Sequence, residues 1–574
     1  MRQTTISLRD VVACAVGAAG VAHALLNPRS PDAAGQIRLA YHGADGMTVS
    51  WNTFEKATKP QVKWGLAKDN LANTSTSNIS MTYPTSTTYN NHVLVDGLRP
   101  DTTYYYLPSP LPQGDHGEPY TFTTARSIGD ARSFAVAIAI DLGTMGRLGL
   151  TDSAGKGVDK EKILEPGEKN TIDSLAQTKS SYDFIWHPGD IAYADYWLKM
   201  QIQGFVPEVN ISDGHIVYEA ILNDFYDEMA VVTESKPYMV GPGNHEANCN
   251  NGKALDKERN ISYNVSVCSP GQTNFTGYKN HFRMPSDVSG GTDNFWYSFD
   301  HGMAHFIQLD TETDLGHGYI GLDEIGGAEH EGAEPVNATM NAQTDWLAAD
   351  LASVDRSKTP WIIVAGHRPW YLSKENVTGT ICWSCKNVFE PLLIKYKVDL
   401  VLTGHAHIYE RLAPLADGKI DANELQNPEA PWYITNGAGG HYDGLDSLQK
   451  KRQKYSRFAL DQHNTTYGWS RLTFHNCTHM THEFIASKND SVLDTATLYK
   501  DRVCHFLDDE TQNNASATAG TASKTSTGQA SAITTLGSSG TSPPSATPST
   551  GCASRPGAVS LLAMTFIVAG VCLF

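Results

Sequence analysis

Five times between Phe134 and His407 a short apolar run stops at a polar residue able to bind a metal. The run 134–140 leads into Asp141-Leu142-Gly143. Phe184-Ile185-Trp186 leads to Gly189-Asp190 and then Tyr193. Tyr238-Met239-Val240 precedes Gly243-Asn244-His245-Glu246, Ile362-Ile363-Val364 precedes Gly366-His367, and Leu400-Val401-Leu402 precedes Gly404-His405-Ala406-His407. Helix-spaced stretches such as 172–179 and 344–353 lie between the runs. Buried strands alternating with helices imply an α/β domain with its sheet covered on both faces. Ligands in open α/β sheets collect beyond the carboxyl ends of the strands, so the five groups converge on one edge. Glycines 189, 243, 366 and 404 let the chain turn sharply off each strand.

Asp, Asp, Tyr, Asn and three His together are carboxylate, phenolate, amide and imidazole donors, a set suited to hard or borderline cations. Two such cations about 3.5–4 Å apart need a bridging carboxylate. A lone histidine such as His405 would read as a satisfied core residue; five polar groups in one structural position are not explained by packing.

Around this block the chain changes character. Alternating segments from Gln36 to Thr124, broken by Gly, Pro and Asp turns, imply an antiparallel β-sandwich. It is assigned residues 30–126, the α/β domain 132–425, and a strand-rich region that packs on that domain 426–506. Residues 1–24 read as a signal peptide, a basic start and an apolar run ending at Ala22-His23-Ala24. Residues 511–550 form a Ser/Thr-rich stalk without the composition for a core. Residues 551–574 read as a GPI-type signal, with attachment near Gly551 or upstream near Ser545 or Ser549; a single spanning helix is the competing reading. The chain is thus expected at the cell surface or secreted. The cysteines between the two ends fall into local pairs, Cys249 with Cys268, Cys382 with Cys385, and Cys477 with Cys504. Cys382-Trp383-Ser384-Cys385 could be half of a zinc site or a redox motif, but no second C-x-x-C completes one, which favours a loop staple. Sequons at Asn78, Asn210, Asn264, Asn376 and Asn464 suit a glycosylated surface. With 44 Lys and Arg against 62 Asp and Glu, a net charge of −18, no nucleic-acid partner is expected.

The ordered set D-x-G, G-D-x-x-Y, G-N-H-E, G-H and G-H-x-H resembles the purple acid phosphatases, within the calcineurin-like metallophosphoesterases. Residues 95–106 resemble the later strands of a fibronectin type III-like module. The resemblance implies an α/β metallophosphoesterase sandwich, two β-sheets flanked by helices, behind an N-terminal all-β fibronectin type III-like domain. It implies Fe(3+) held by Asp141, Asp190, Tyr193 and His407. It also implies a divalent Zn, Fe or Mn ion held by Asp190, Asn244, His367 and His405, with Asp190 bridging. His245 would protonate the leaving group, and Glu246 would fix a ring or a metal-bound group. The implied activity is acid hydrolysis of phosphate monoesters to orthophosphate and alcohol by a metal-held hydroxide. In the plant-type pattern two adjacent histidines follow the G-H motif; here the stretch reads Arg368-Pro369-Trp370-Tyr371-Leu372-Ser373-Lys374. Arg368, Tyr371 and His441 are the candidates for the missing substrate contacts. Two alternatives stand beside this reading. One is a phosphodiesterase or nucleotidase of the same superfamily, against which Tyr193 argues. The other is a surface adhesion protein with a vestigial site, against which the complete donor set argues.

Overall fold

A computed structural model describes residues 35–504 apart from 111–116, 146–167, 204–205, 207, 247–254, 257–260, 263–267, 313–341, 374–379, 441–443 and 462–465. The signal peptide, stalk and tail, His441, Cys249 and the sequons at Asn264, Asn376 and Asn464 lie outside the described residues. No helix among the described residues is long and apolar enough to cross a membrane.

The N-terminal segment forms two four-stranded antiparallel sheets. One has the order β1 (Gly35–Tyr41), β2 (Met47–Thr53), β6 (Tyr89–Val95), β5 (Ile79–Met81). The other has the order β4 (Asn73–Thr76), β3 (Gln61–Gly65), β7 (Thr103–Ser109), β8 (Tyr120–Thr123). Alternation in β1 and β2 suggests one wet face, yet every residue of β2 is buried. The outer face is covered by the next domain. Arg38 of β1 is buried, and it donates to the carbonyls of His281 and Gln36 and to the side chains of Asn52 and Asn90. A buried guanidinium is tolerated only when its donors are met in this way.

The α/β part contains two mixed sheets. Sheet one runs β11 (Tyr238–Gly241), β10 (Phe184–Pro188), β9 (Phe134–Ile138), β19 (Gly468–Phe474), β20 (His479–Ala486), β21 (Ser491–Tyr499). Sheet two runs β12 (Tyr297–His301), β13 (Ala304–Gln308), β14 (Trp361–Ala365), β15 (Leu400–Thr403), β17 (Trp432–Asn436), β16 (Tyr409–Leu412), β18 (Ser456–Leu460). Strands β9–β11 are mutually parallel, as are β13, β14, β15 and β17. The apolar faces meet between the sheets: Phe184 and Trp186 pack edge-on against Phe306, and Trp186 Nε1 donates to Gln308 Oε1 at 2.8 Å. The region from 426 onward was expected to lie against this domain. Its strands are hydrogen-bonded into both sheets, β19 beside β9 and β17 beside β15.

The helices are α1 (Thr171–Gln177), α2 (Trp197–Gln203), α3 (Gly214–Thr233), α4 (Ala342–Ser353) and α5 (Trp383–Lys395), with shorter turns between. Helix α1 starts at a capping box, Asn170 accepting from the Asp173 N–H and Asp173 from that of Asn170. Disulfides Cys382–Cys385 and Cys477–Cys504 form as paired locally, and Cys268 is also disulfide-bonded.

Candidate metal centre

Sheet one delivers carboxylates and sheet two delivers imidazoles. Asp141, Asp190 and Asn244 follow β9, β10 and β11; His367 follows β14, and His405 and His407 follow β15. Because the parallel strands of each sheet end on the same side, these side chains face one another across the sandwich. Asp141, Asp190, Tyr193 and His405 have left-handed backbone, with φ of 57°, 53°, 54° and 65°. Non-glycine residues take this conformation at a cost of about 1–3 kcal/mol each, and such positions cluster at functional sites. The glycines act differently from the sequence expectation. Of the four, only Gly189 (φ 98°) is left-handed. Gly243 and Gly404 provide clearance: a Cβ would lie 2.2 Å from Asp190 Oδ1 and 2.3 Å from Asp141 Oδ2 respectively.

The donors converge. Asp190, His367 and His405 each bring a ligand atom within 4.8 Å of the others. His367 Nε2 is 2.9 Å from Asp190 Oδ2. The Tyr193 hydroxyl lies 2.8 Å from Asp141 Oδ1, 3.2 Å from Asp190 Oδ2 and 2.9 Å from His407 Nε2. Oδ1 of Asn244 and Nδ1 of His367 are buried without a hydrogen-bond partner. Buried polar atoms are rarely left so. His367 turns its other nitrogen, Nε2, to Asp190, and that nitrogen, the Asn244 amide oxygen and the paired carboxylates make a donor set that cations would engage. The residues present therefore fit a binuclear centre.

Charge is balanced within the cluster. Burial works to raise the Asp190 carboxyl, but the imidazoles of His367 and His245 outweigh it and hold it well below the carboxylate range. Burial, then the Asp141 carboxylate, pushes the Tyr193 phenol up in the metal-free site; a bound cation would reverse that. Glu246 acts as a splint: its carboxylate accepts the N–H groups of Asp190, Ile191 and Gly243, tying the β10 and β11 turns together.

His245 is not in the ligand cluster but beside it, its Nε2 3.8 Å from Asp190 Oδ2 and its Nδ1 2.7 Å from Asp195 Oδ2. Its ring lies 4.2 Å from that of Tyr193 and 4.6 Å, edge-on, from that of Tyr196. Burial lowers its pKa, but the carboxylates of Asp195 and Asp190 prevail and push it up to about 10.

Of the expected substrate contacts, Arg368 reaches the cluster, with Nη1 3.1 Å from His405 Nε2 and Nε shared between both oxygens of Glu312. Tyr371 does not. Its hydroxyl donates to Glu390 and accepts from the Gly418 N–H, and its ring packs on Tyr433 and Tyr455. Two residues escaped the sequence reading. Asp195 stands two after Tyr193 in the same turn, and Glu312 follows the apolar run of β13, a sixth strand end without a glycine.

Comparison with known proteins agrees with this geometry. Residues 34–124 match the purple acid phosphatase N-terminal domain, 161–409 the calcineurin-like phosphoesterase family, and 430–495 the iron/zinc purple acid phosphatase-like protein C family. Acid phosphatase A of Cryphonectria parasitica is 37% identical over 502 residues, covering 82% of this chain and 93% of that one. The acid phosphatase of Aspergillus ficuum is 31% identical, covering 83% of this chain and 88% of that one. Among solved structures, the purple acid phosphatase PPD1 from yellow lupin seeds shares the fold, with TM-score 0.58 and 22% identity, over 82% of this chain and 75% of that one. The chain therefore belongs to the purple acid phosphatase family and is an acid phosphatase built on the calcineurin-like phosphoesterase fold.

Proposed function

We propose that the enzyme hydrolyses phosphate monoesters in acid, with Asp141, Asp190, Tyr193 and His407 holding Fe(3+). Asp190, Asn244, His367 and His405 would hold a divalent Zn, Fe or Mn ion, with Asp190 shared. The observation that carries this reading is the Tyr193 hydroxyl, within hydrogen-bond distance of Asp141, Asp190 and His407 at once. When bound, the two cations supply Lewis-acid polarisation of the ester and a water-derived nucleophile. His245, kept protonated chiefly by Asp195, gives its proton to the leaving alkoxide. Asp195 and the rings of Tyr193 and Tyr196 fix its orientation. Arg368, anchored on Glu312, contacts the ester's oxygens.

The test is spectroscopic. A phenolate on ferric iron gives a visible charge-transfer band, so the purified oxidised enzyme should be purple or pink. Tyr193→Phe should lose the band while iron, measured alongside, stays bound. An unchanged band in iron-replete Tyr193→Phe protein would remove the assignment.

We also propose that the enzyme is exported and held at the cell surface by a GPI anchor or released. Two disulfides and exposed sequon asparagines at Asn78 and Asn210 support export.

A further inference from the structure

The turn that carries Asp190 and Tyr193 does not end there. It continues through a short 3₁₀ turn, Ala194–Tyr196, into α2 (Trp197–Gln203), so residues 190, 193, 196 and 199 follow at steps of three. Asp190 and Tyr193 are buried; Tyr196 and Lys199 are half-buried. The row thus leads from the reacting centre outward. Tyr196 stands edge-on to His245, with ring centroids 4.6 Å apart. The Nζ of Lys199 lies 4.6 Å from the centroid of the Tyr196 ring.

We propose that Tyr196 and Lys199 form the seat of the leaving alcohol, and that Lys199 selects esters whose alcohol carries a second anionic group, above all a second phosphate. The inference rests on the reading of His245 as the proton donor. A donor must lie within hydrogen-bond reach of the oxygen it protonates, so the departing alcohol lies on the His245 side of the phosphorus. That side carries a flat ring in Tyr196 and a fixed positive charge in Lys199. A ring alone suits any sugar or aryl group. The ammonium matters because the chain as a whole carries −18. A polyanionic ester approaches against that field, and one cation beside the leaving group offsets the repulsion where the second phosphate sits. A neutral alcohol gains little from it. Held over an aromatic face, the ammonium is also positioned rather than sampling many rotamers.

The experiment compares fructose 1,6-bisphosphate with glycerol 2-phosphate on the metal-loaded wild type and on Lys199→Met, Lys199→Glu and Lys199→Arg, at low and high salt. For Lys199→Met, kcat/KM on the bisphosphate should fall about tenfold relative to glycerol 2-phosphate, the scale of one charge-assisted contact. Lys199→Glu should fall further, and Lys199→Arg should keep the wild-type ratio. The deficit of Lys199→Met relative to wild type on the bisphosphate should shrink as salt rises. Equal losses on both esters would mean that Lys199 acts only by supporting Tyr196, and an unchanged ratio would mean that the alcohol lies elsewhere; either overturns the proposal. Both leave phosphatase chemistry standing if wild type still turns over glycerol 2-phosphate. A second comparison separates the proton-donor reading: His245→Ala should lose more on glycerol 2-phosphate than on nitrophenyl phosphate, and equal losses would withdraw that reading on its own.

Discussion

His245 and Asp195 form a pair beside the centre in which neither side chain is a candidate ligand. Removing the imidazole by His245→Ala should leave two metals per chain and cut turnover about 10²–10⁴-fold, the usual worth of a positioned general acid. The loss should shrink for esters whose leaving group needs no proton. Asp195→Asn keeps the shape but removes the charge that holds the imidazolium, so it should lower the upper limb of the pH–rate profile and reproduce a milder form of the same leaving-group dependence. A pH profile identical to wild type would show that Asp195 only fills space. The ligand candidates were legible in sequence because each follows an apolar run, and all of the described ones meet at one edge. Asp195 and Glu312 were not, because a residue that acts by holding another side chain has no motif of its own; its partner is set by the fold. Tyr371 was misread for the related reason that nearness to His367 in sequence says nothing about where a ring turns.

Among the elements, α3 (Gly214–Thr233) joins the N-terminal module to the sheets. Val217, Ile221, Phe225 and Met229 are buried, as are Tyr218, Leu222 and Tyr226 on the neighbouring stripe. With two faces buried the apolar stripe broadens, and the periodic signal that marks a surface helix fades, which is why the sequence reading passed over it. Helix α1, buried on one side and capped at Asn170, was readable. On the module-facing side of α3, Glu219 is buried and accepts from the hydroxyls of Tyr83 (2.8 Å) and Thr85 (2.9 Å). Unfolded, its side chain titrates near 4.5; folded, burial pushes it up to about 7 against those two hydrogen bonds. Between these values the folded protein holds the extra proton. This contribution to stability is therefore complete below pH 4.5 and is lost as pH rises through 7. Melting temperatures measured from pH 4.5 to 7.5 should fall more steeply for wild type than for Glu219→Gln. Parallel curves would exclude Glu219 as the cause.

For the whole molecule, the proposed anchor makes a direct expectation. Phosphatidylinositol-specific phospholipase should release the enzyme from intact cells, and a chain ending before Ala558 should appear free in the medium; attachment surviving both would exclude the anchor. The α/β pattern and the β-module were readable from periodicity. The integration of the last strands was not, because strand pairing between distant segments leaves no local trace. That pairing has a consequence in time. A ribosome makes the chain from its amino end, and every candidate metal side chain has been made once His407 is complete. The strand leading to Asp141, however, gains one of its two neighbours only when Gly468–Phe474 emerges. Until then the growing polypeptide holds the full complement of donors around an unfilled edge, a state prone to the wrong partners. A transcript cut short before codon 468 therefore encodes every motif of the centre but leaves one edge of the strand that leads to Asp141 without its partner.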